Sequence, residues 1–179
     1  MVNQMIKYSI ISAIFIAFIT SCNSQVQNET IQNQGGVNFE EAMIQSHKLF
    51  VEKSTKAINQ YVNQSDYEFI TTGTGLRYAI ISTGVGVRPV KGNEVKIEYI
   101  IEFLDGEKVL NYEKPKTISF YIEQSSVESG LHEALQLMKL GEKASFIFPP
   151  HLAFGMSGDR QGIPPQSTLL YTIELLAIR

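Results

Sequence analysis

Two hydrophobic periods divide this chain. Phe39, Met43, Phe50, Ser54, Ala57, Ile58 and Tyr61 recur at roughly helical spacing with charges between them. Ahead of them Asn38-Phe39-Glu40-Glu41 has the form of a capping box, an Asn cap with an acid three residues on. The pattern predicts an amphipathic helix over 38–65 that pads a globular domain; a dimerising or partner-binding helix is the alternative. After Thr72-Gly73-Thr74-Gly75 the period drops to two. Leu76, Tyr78 and Ile80 alternate with Arg77 and Ala79, and Gly84-Val85-Gly86 closes that run. Val95, Ile97, Tyr99 and Ile101 define the next strand, Asp105-Gly106 a tight turn, and Glu107 to Leu110 a returning strand. Thr117 to Ile122 reads as another. Ser125-Ser126-Val127-Glu128 is a second capping box, opening a short helix with Leu131, Leu135 and Met138 inward and Gly141 placed to end it. Strands over 143–148 and 167–177 complete the chain. One short helix among antiparallel strands predicts an α+β domain over 75–179, with the helix covering one face of the sheet.

The first residues carry a different pattern. Lys7 precedes the apolar run IISAIFIAFI, which falls short of the roughly 20 residues of a membrane span but suits a secretory signal. The run ends at Ile19-Thr20-Ser21-Cys22, which resembles a bacterial lipobox. Cys22 is the one cysteine among 179 residues, so no internal disulfide is available to it. Residues 1–21 are expected to be a lipoprotein signal peptide and Cys22 the lipidated residue; an ordinary signal cleaved near an incidental cysteine is the alternative. One acyl chain binds a membrane marginally and several bind stably, so multiple acylation implies a permanent anchor. Residues 22–37, polar and rich in Gln and Asn, read as a flexible tether of roughly 20 Å.

The apolar fraction of 44% supports a real core. The net charge is −3, and loss of residues 1–21 removes one lysine and no acid. That mild acidity argues against nucleic acid, which calls for clustered Lys and Arg. Reactive groups are scarce. His47, His132 and His151 have no cysteine partner and no zinc spacing, and are expected to face solvent. Glu128 and Glu133 read as helix-surface acids. Gly84-Val85-Gly86 lacks the further glycine and helix of a dinucleotide site. No metal or cofactor is implied.

What the last hundred residues do contain is converging aromatic and branched side chains around two Pro-Pro turns. GLRYAIISTGVG, VKIEYIIEFLDG, VESGLHEALQLMKLGEKASFIFPPHLAFG and GIPPQSTLLYTIELL, in that order, resemble an FKBP-type peptidyl-prolyl isomerase domain over about 75–179. The stretch from Tyr112 to Asp159 is similar to the FKBP-like lipoproteins associated with gliding motility in Bacteroidetes. The resemblance implies an antiparallel sheet wrapped on the short helix. It also implies a cleft lined by Tyr99, Val109, Ile118, Val127, Leu131, Phe154, Ile163 and Tyr171, with the backbone N–H of Glu128 donating to a bound carbonyl. Tyr99, Leu131, Phe154 and Tyr171 take the catalytic positions. Ordinary core packing is the alternative for each, most of all for Val127 and Ile118.

The reaction implied needs no reactive group. Rotating an X–Pro bond costs about 18–20 kcal/mol because amide resonance is lost. A dry, preformed apolar cleft favours the twisted state over the better-solvated planar one. Accelerations of about 10³ to 10⁶ need about 4–8 kcal/mol. Three positions depart from the family's active pattern. Its floor residue, often Trp, is Leu131; its substrate-bonding Tyr is Phe154; and its Phe-Asp pair is Val109-Leu110, or Leu110-Asn111 with a one-residue slip. In either register the carboxylate is gone. The expected function is a weakened prolyl isomerase, anchored in the cell envelope and facing the periplasm, that acts on proline-containing exported polypeptides. The alternative is a binding module that keeps the cleft without the chemistry, within an envelope motility or secretion complex.

Overall fold

The computed structural model describes residues 38–179, so the lipobox, Cys22 and the tether lie outside the described residues. Helix α1 spans Phe39–Gln64. At its start the Asn38 side-chain oxygen accepts the Glu40 N–H at 3.2 Å, and the Asn38 carbonyl accepts the Ala42 N–H at 2.9 Å. Residues Met43–Arg179 form one compact unit. Within it only the second half of α1 meets the sheet: Ile58 is buried, Tyr61 and Val62 flank it, and the Ser54 and Thr168 hydroxyls lie 2.8 Å apart. Met43 and Ala57, expected on the inner stripe, are exposed.

Six strands follow: β1 (Ile70–Thr71), β2 (Arg77–Ser82), β3 (Glu94–Phe103), β4 (Lys116–Tyr121), β5 (Lys143–Phe148) and β6 (Leu169–Ile178). They form one antiparallel sheet in the order β1-β2-β5-β6-β3-β4. Helix α2 (Ser129–Leu137) connects β4 to β5, and a 3-10 turn (Pro150–Leu152) opens the long loop from β5 to β6. Successive strand residues point to opposite faces. Phe146, Phe148, Tyr171 and Ile173 therefore join Leu131, Ala134, Leu135 and Met138 of α2 in the main core, while Ile147 and Leu170 turn to Ile58 of α1. The α+β architecture, a sheet wrapped on one short helix and preceded by another, is the one expected.

Three local expectations are corrected. Glu107–Leu110 is not a returning strand: beyond the Asp105-Gly106 turn there is one bridge, Glu102 to Lys108, and β3 pairs instead with β4. Ser125 does not cap α2. Its hydroxyl accepts the Tyr121 N–H at 2.9 Å, and Glu128 holds the cap position without a side-chain bond. Gly141 does not end α2 either. Met138 turns extended immediately after Leu137, and Gly141, at φ 81°, serves the turn into β5. Gly130 is needed for packing: a Cβ there would lie 2.7 Å from the Leu152 carbonyl oxygen and 2.9 Å from the Phe148 ring. Its bareness lets α2 lie flat against β5 and the 3-10 turn.

Candidate active site

The cleft is built where α2, the β3–β4 connection and the β5–β6 loop meet the inner face of the sheet. Tyr171 of β6 is fully buried, stacked on Phe148 of β5 with centroids 4.3 Å apart and on Tyr99 of β3 at 6.2 Å. Leu131 of α2, Val109 and Ile163 are buried beside them, and Tyr99, Ile118, Val127 and Phe154 pack half-buried against the same cluster. Eight of the expected cleft residues, drawn from separate segments of the chain, thus belong to one apolar cluster. Leu110 is apart from it, with 58% of its surface exposed. Val109 points into the core and Leu110 away. Gly162 sits against Leu110; a Cβ on it would come within 2.8 Å of both the Leu110 Cβ and its carbonyl oxygen.

Two groups that the sequence reading left aside hold the rim. Tyr112 is tilted against Tyr99 at 6.2 Å, and Lys116 Nζ lies 3.9 Å from the Tyr112 ring centre. Asp159 clamps the long loop: its Oδ1 accepts the backbone N–H groups of Gln161, Gly162 and Ile163 at 2.8, 2.8 and 2.7 Å. Burial pushes the Asp159 carboxyl up, but those donors outweigh it and hold it below the usual aspartate value. The clamp fixes Ile163 at the cleft wall.

The electrostatics are those of a dry site. Burial raises the Tyr99 phenol to about 12, with Tyr112 and Glu128 adding to it. Burial likewise raises Tyr112, with Glu128 and Asp159 contributing, and lifts Tyr171 well above the phenol range. All three therefore stay neutral and keep their O–H groups as donors. Glu128 is no helix-surface acid. It lies half-buried at the cleft edge, where desolvation raises its carboxyl while its own backbone N–H and His132 pull the other way. The N–H expected to serve a ligand carbonyl thus sits within reach of the residue's own carboxylate.

His132 is also not solvent-facing in the way expected. Its Nδ1 accepts the Glu123 N–H at 3.0 Å, its Nε2 donates to the Ser125 carbonyl at 3.1 Å, and its ring meets Phe120 edge-on at 5.5 Å. It staples α2 to the end of β4. His151 is exposed, with Nε2 2.9 Å from the Thr74 carbonyl oxygen. Among the described residues no group of three His, Cys, Asp or Glu is placed to hold a metal. A separate cavity of about 420 Å³ lies between α1 and the back of the long loop, lined in part by Phe50, Ile58, Arg77, Pro150 and Met156. None of the expected cleft residues lines it.

This arrangement of sheet, covering helix and aromatic cleft belongs to a known class. The family model for FKBP-type peptidyl-prolyl cis-trans isomerases matches residues 86–176, just over half of the chain, and the chain belongs to that family. It is 36% identical over 110 residues to the FKBP-type isomerase FkpA of Escherichia coli K12, covering 61% of this chain and 40% of that protein. It is 34% identical over 118 residues to the outer membrane protein MIP of Legionella longbeachae, covering 65% of this chain and 50% of that one. The chain thus spans half or less of these curated relatives. The crystal structure of FkpA from Escherichia coli superposes with a TM-score of 0.60 at 27% identity, covering 97% of this chain and 82% of that chain.

Proposed function

We propose that this protein is a prolyl cis–trans isomerase that works by desolvation and shape. Family membership supports the reaction class, and the single observation that carries the site is the apolar cluster that Tyr99, Leu131, Phe154, Ile163 and Tyr171 share. A prolyl ring seated on that cluster leaves water, and the twisted amide, with its smaller dipole, loses less on leaving water than the planar one. Val109, Ile118 and Val127 wall the ring, and the Glu128 N–H receives the neighbouring carbonyl once the Glu128 carboxylate yields it. Neutral tyrosines supply donors without placing a charge in the dry cleft.

The client class is exported polypeptides with slow X–Pro bonds, and the place of work is the cell envelope, facing the periplasm. The lipobox-like Ile19-Thr20-Ser21-Cys22 and the polar stretch after it support anchoring through Cys22. The likeness of Tyr112–Asp159 to gliding-motility lipoproteins supports a role beside a motility or secretion machine. A second reading, a binding module with little catalysis, is favoured by one observation: Leu110, where the family carries a carboxylate, is apolar and turned outward.

Proline-limited refolding, followed with and without a macrolide that fills FKBP clefts, tests the reaction. Acceleration abolished by the macrolide is expected. A folded protein that leaves refolding unaccelerated at high concentration leaves the binding module. Labelled palmitate should enter the wild type and not Cys22→Ala, whose recovery in the soluble fraction checks the anchor.

A further inference from the structure

Among the described residues one buried side-chain polar atom lacks a hydrogen-bond partner, and it lies in the cleft: the hydroxyl of Tyr171. Folded proteins rarely leave such a group unpaired, because a buried O–H without an acceptor keeps its full desolvation cost. Where one persists, it asks for a reason. The Tyr171 ring stacks on Phe148 at 4.3 Å on the core side, while Tyr99 packs at 6.2 Å toward the cleft and itself meets Tyr112. The groups acting on the hydroxyl are Glu128, Tyr112, Tyr99 and Asp159, all rim or wall of the cleft. The oxygen therefore lies among cleft-lining groups and is sealed from solvent in the free protein. Two polar contacts that the family resemblance would place in this cleft are meanwhile missing, at Leu110 and Phe154.

We propose that the Tyr171 hydroxyl is a substrate-contacting donor, left unpaired in the free protein and satisfied by the X–Pro amide of a bound chain. The inference rests on the isomerase reading above. As the amide twists, its nitrogen regains a lone pair and becomes a better acceptor, so a donor at the cleft floor stabilises the twisted state more than the planar one. Access runs past Tyr112, which belongs to no strand or helix and is held by stacking on Tyr99 and by Lys116. The arrangement gives back, from the sheet side, a donor that Phe154 cannot offer from the loop.

The experiment is Tyr171→Phe in the full chain, with melting temperature and prolyl isomerisation measured together. Deleting an unsatisfied buried hydroxyl relieves its desolvation, so the melting temperature is expected to hold or rise, by up to about 8 °C. Losing the substrate contact is expected to lower kcat/KM about two- to tenfold, the scale of one neutral hydrogen bond. A variant that melts lower overturns the proposal, since the hydroxyl was then paired in the free protein. Unchanged kcat/KM beside an active wild type overturns it too and leaves the isomerase reading standing. A wild type that is folded yet inactive sinks the isomerase reading and the inference with it.

Discussion

Leu170 and Tyr171 are neighbours in sequence and do opposite work. Leu170, with Ile147, faces α1 in a small cluster completed by Ile58, Tyr61, Val62 and Phe69. Tyr171, with Phe146 and Phe148, faces α2 and the cleft in a run of stacked rings. The outer contact buries aliphatic side chains flanked by the Tyr61–Phe69 ring pair, and among the described residues no unpaired hydroxyl is buried there. The inner one buries rings that bring a hydroxyl with them, and that hydroxyl is left unpaired. The strand period of two separates stability from chemistry along one backbone: a residue's face, not its place in the sequence, decides which it serves.

Substitutions can break or sharpen that separation. The largest effect is expected on the inner face, where Phe148→Ala should cost about 3–5 kcal/mol of stability and abolish isomerisation, because Tyr171 loses its stacking partner. Denaturant unfolding alongside the refolding assay checks it, and a variant that keeps full activity would show that Tyr171 does not depend on this ring. On the outer face Leu170→Ala should cost about 2–4 kcal/mol while kcat/KM stays at the wild-type value below the melting range. A parallel fall in kcat/KM would break the separation of faces. Phe154→Tyr is expected to raise kcat/KM about two- to tenfold by restoring a donor at the loop, with little change in melting.

The smallest effect concerns Asp159. Asp159→Ala should lower kcat/KM about threefold by loosening the loop that positions Ile163. Acid should do the same. A carboxyl whose folded-state pKa is depressed contributes stability that is present above its unfolded value and lost as pH falls through the folded one. The pH profile of the wild type should therefore fall below the ordinary aspartate range, and that of Asp159→Ala should be flat there. Matching profiles for the two proteins would remove the clamp from the account.

Much of this was legible in the chain because it rests on local rules. The helix beginning at Asn38 follows from a cap whose donor and acceptor are neighbours. The strands follow from alternation, and the inward stripe of Leu131, Leu135 and Met138 from helical spacing. The family resemblance named eight apolar residues that the structure packs into one cluster. Failures came where a second partner competed for the same group. Ser125 reads as a cap until Tyr121 supplies a nearer N–H. Glu107–Leu110 reads as a strand until Lys116–Tyr121 takes the pairing edge of β3. His132 and Glu128 read as surface residues until the end of β4 and the cleft close over them.

By itself, then, the sequence determined the element types, the faces of the long strands and the class of site, since period, capping and residue bulk act within a few positions. Only the tertiary structure decided that Val109 and not Leu110 faces inward, that Tyr112 guards the rim, and that the Tyr171 hydroxyl has no partner. Each of those depends on segments far apart in the chain meeting at distances of a few ångströms, and no local pattern records which polar atom is left over when they meet.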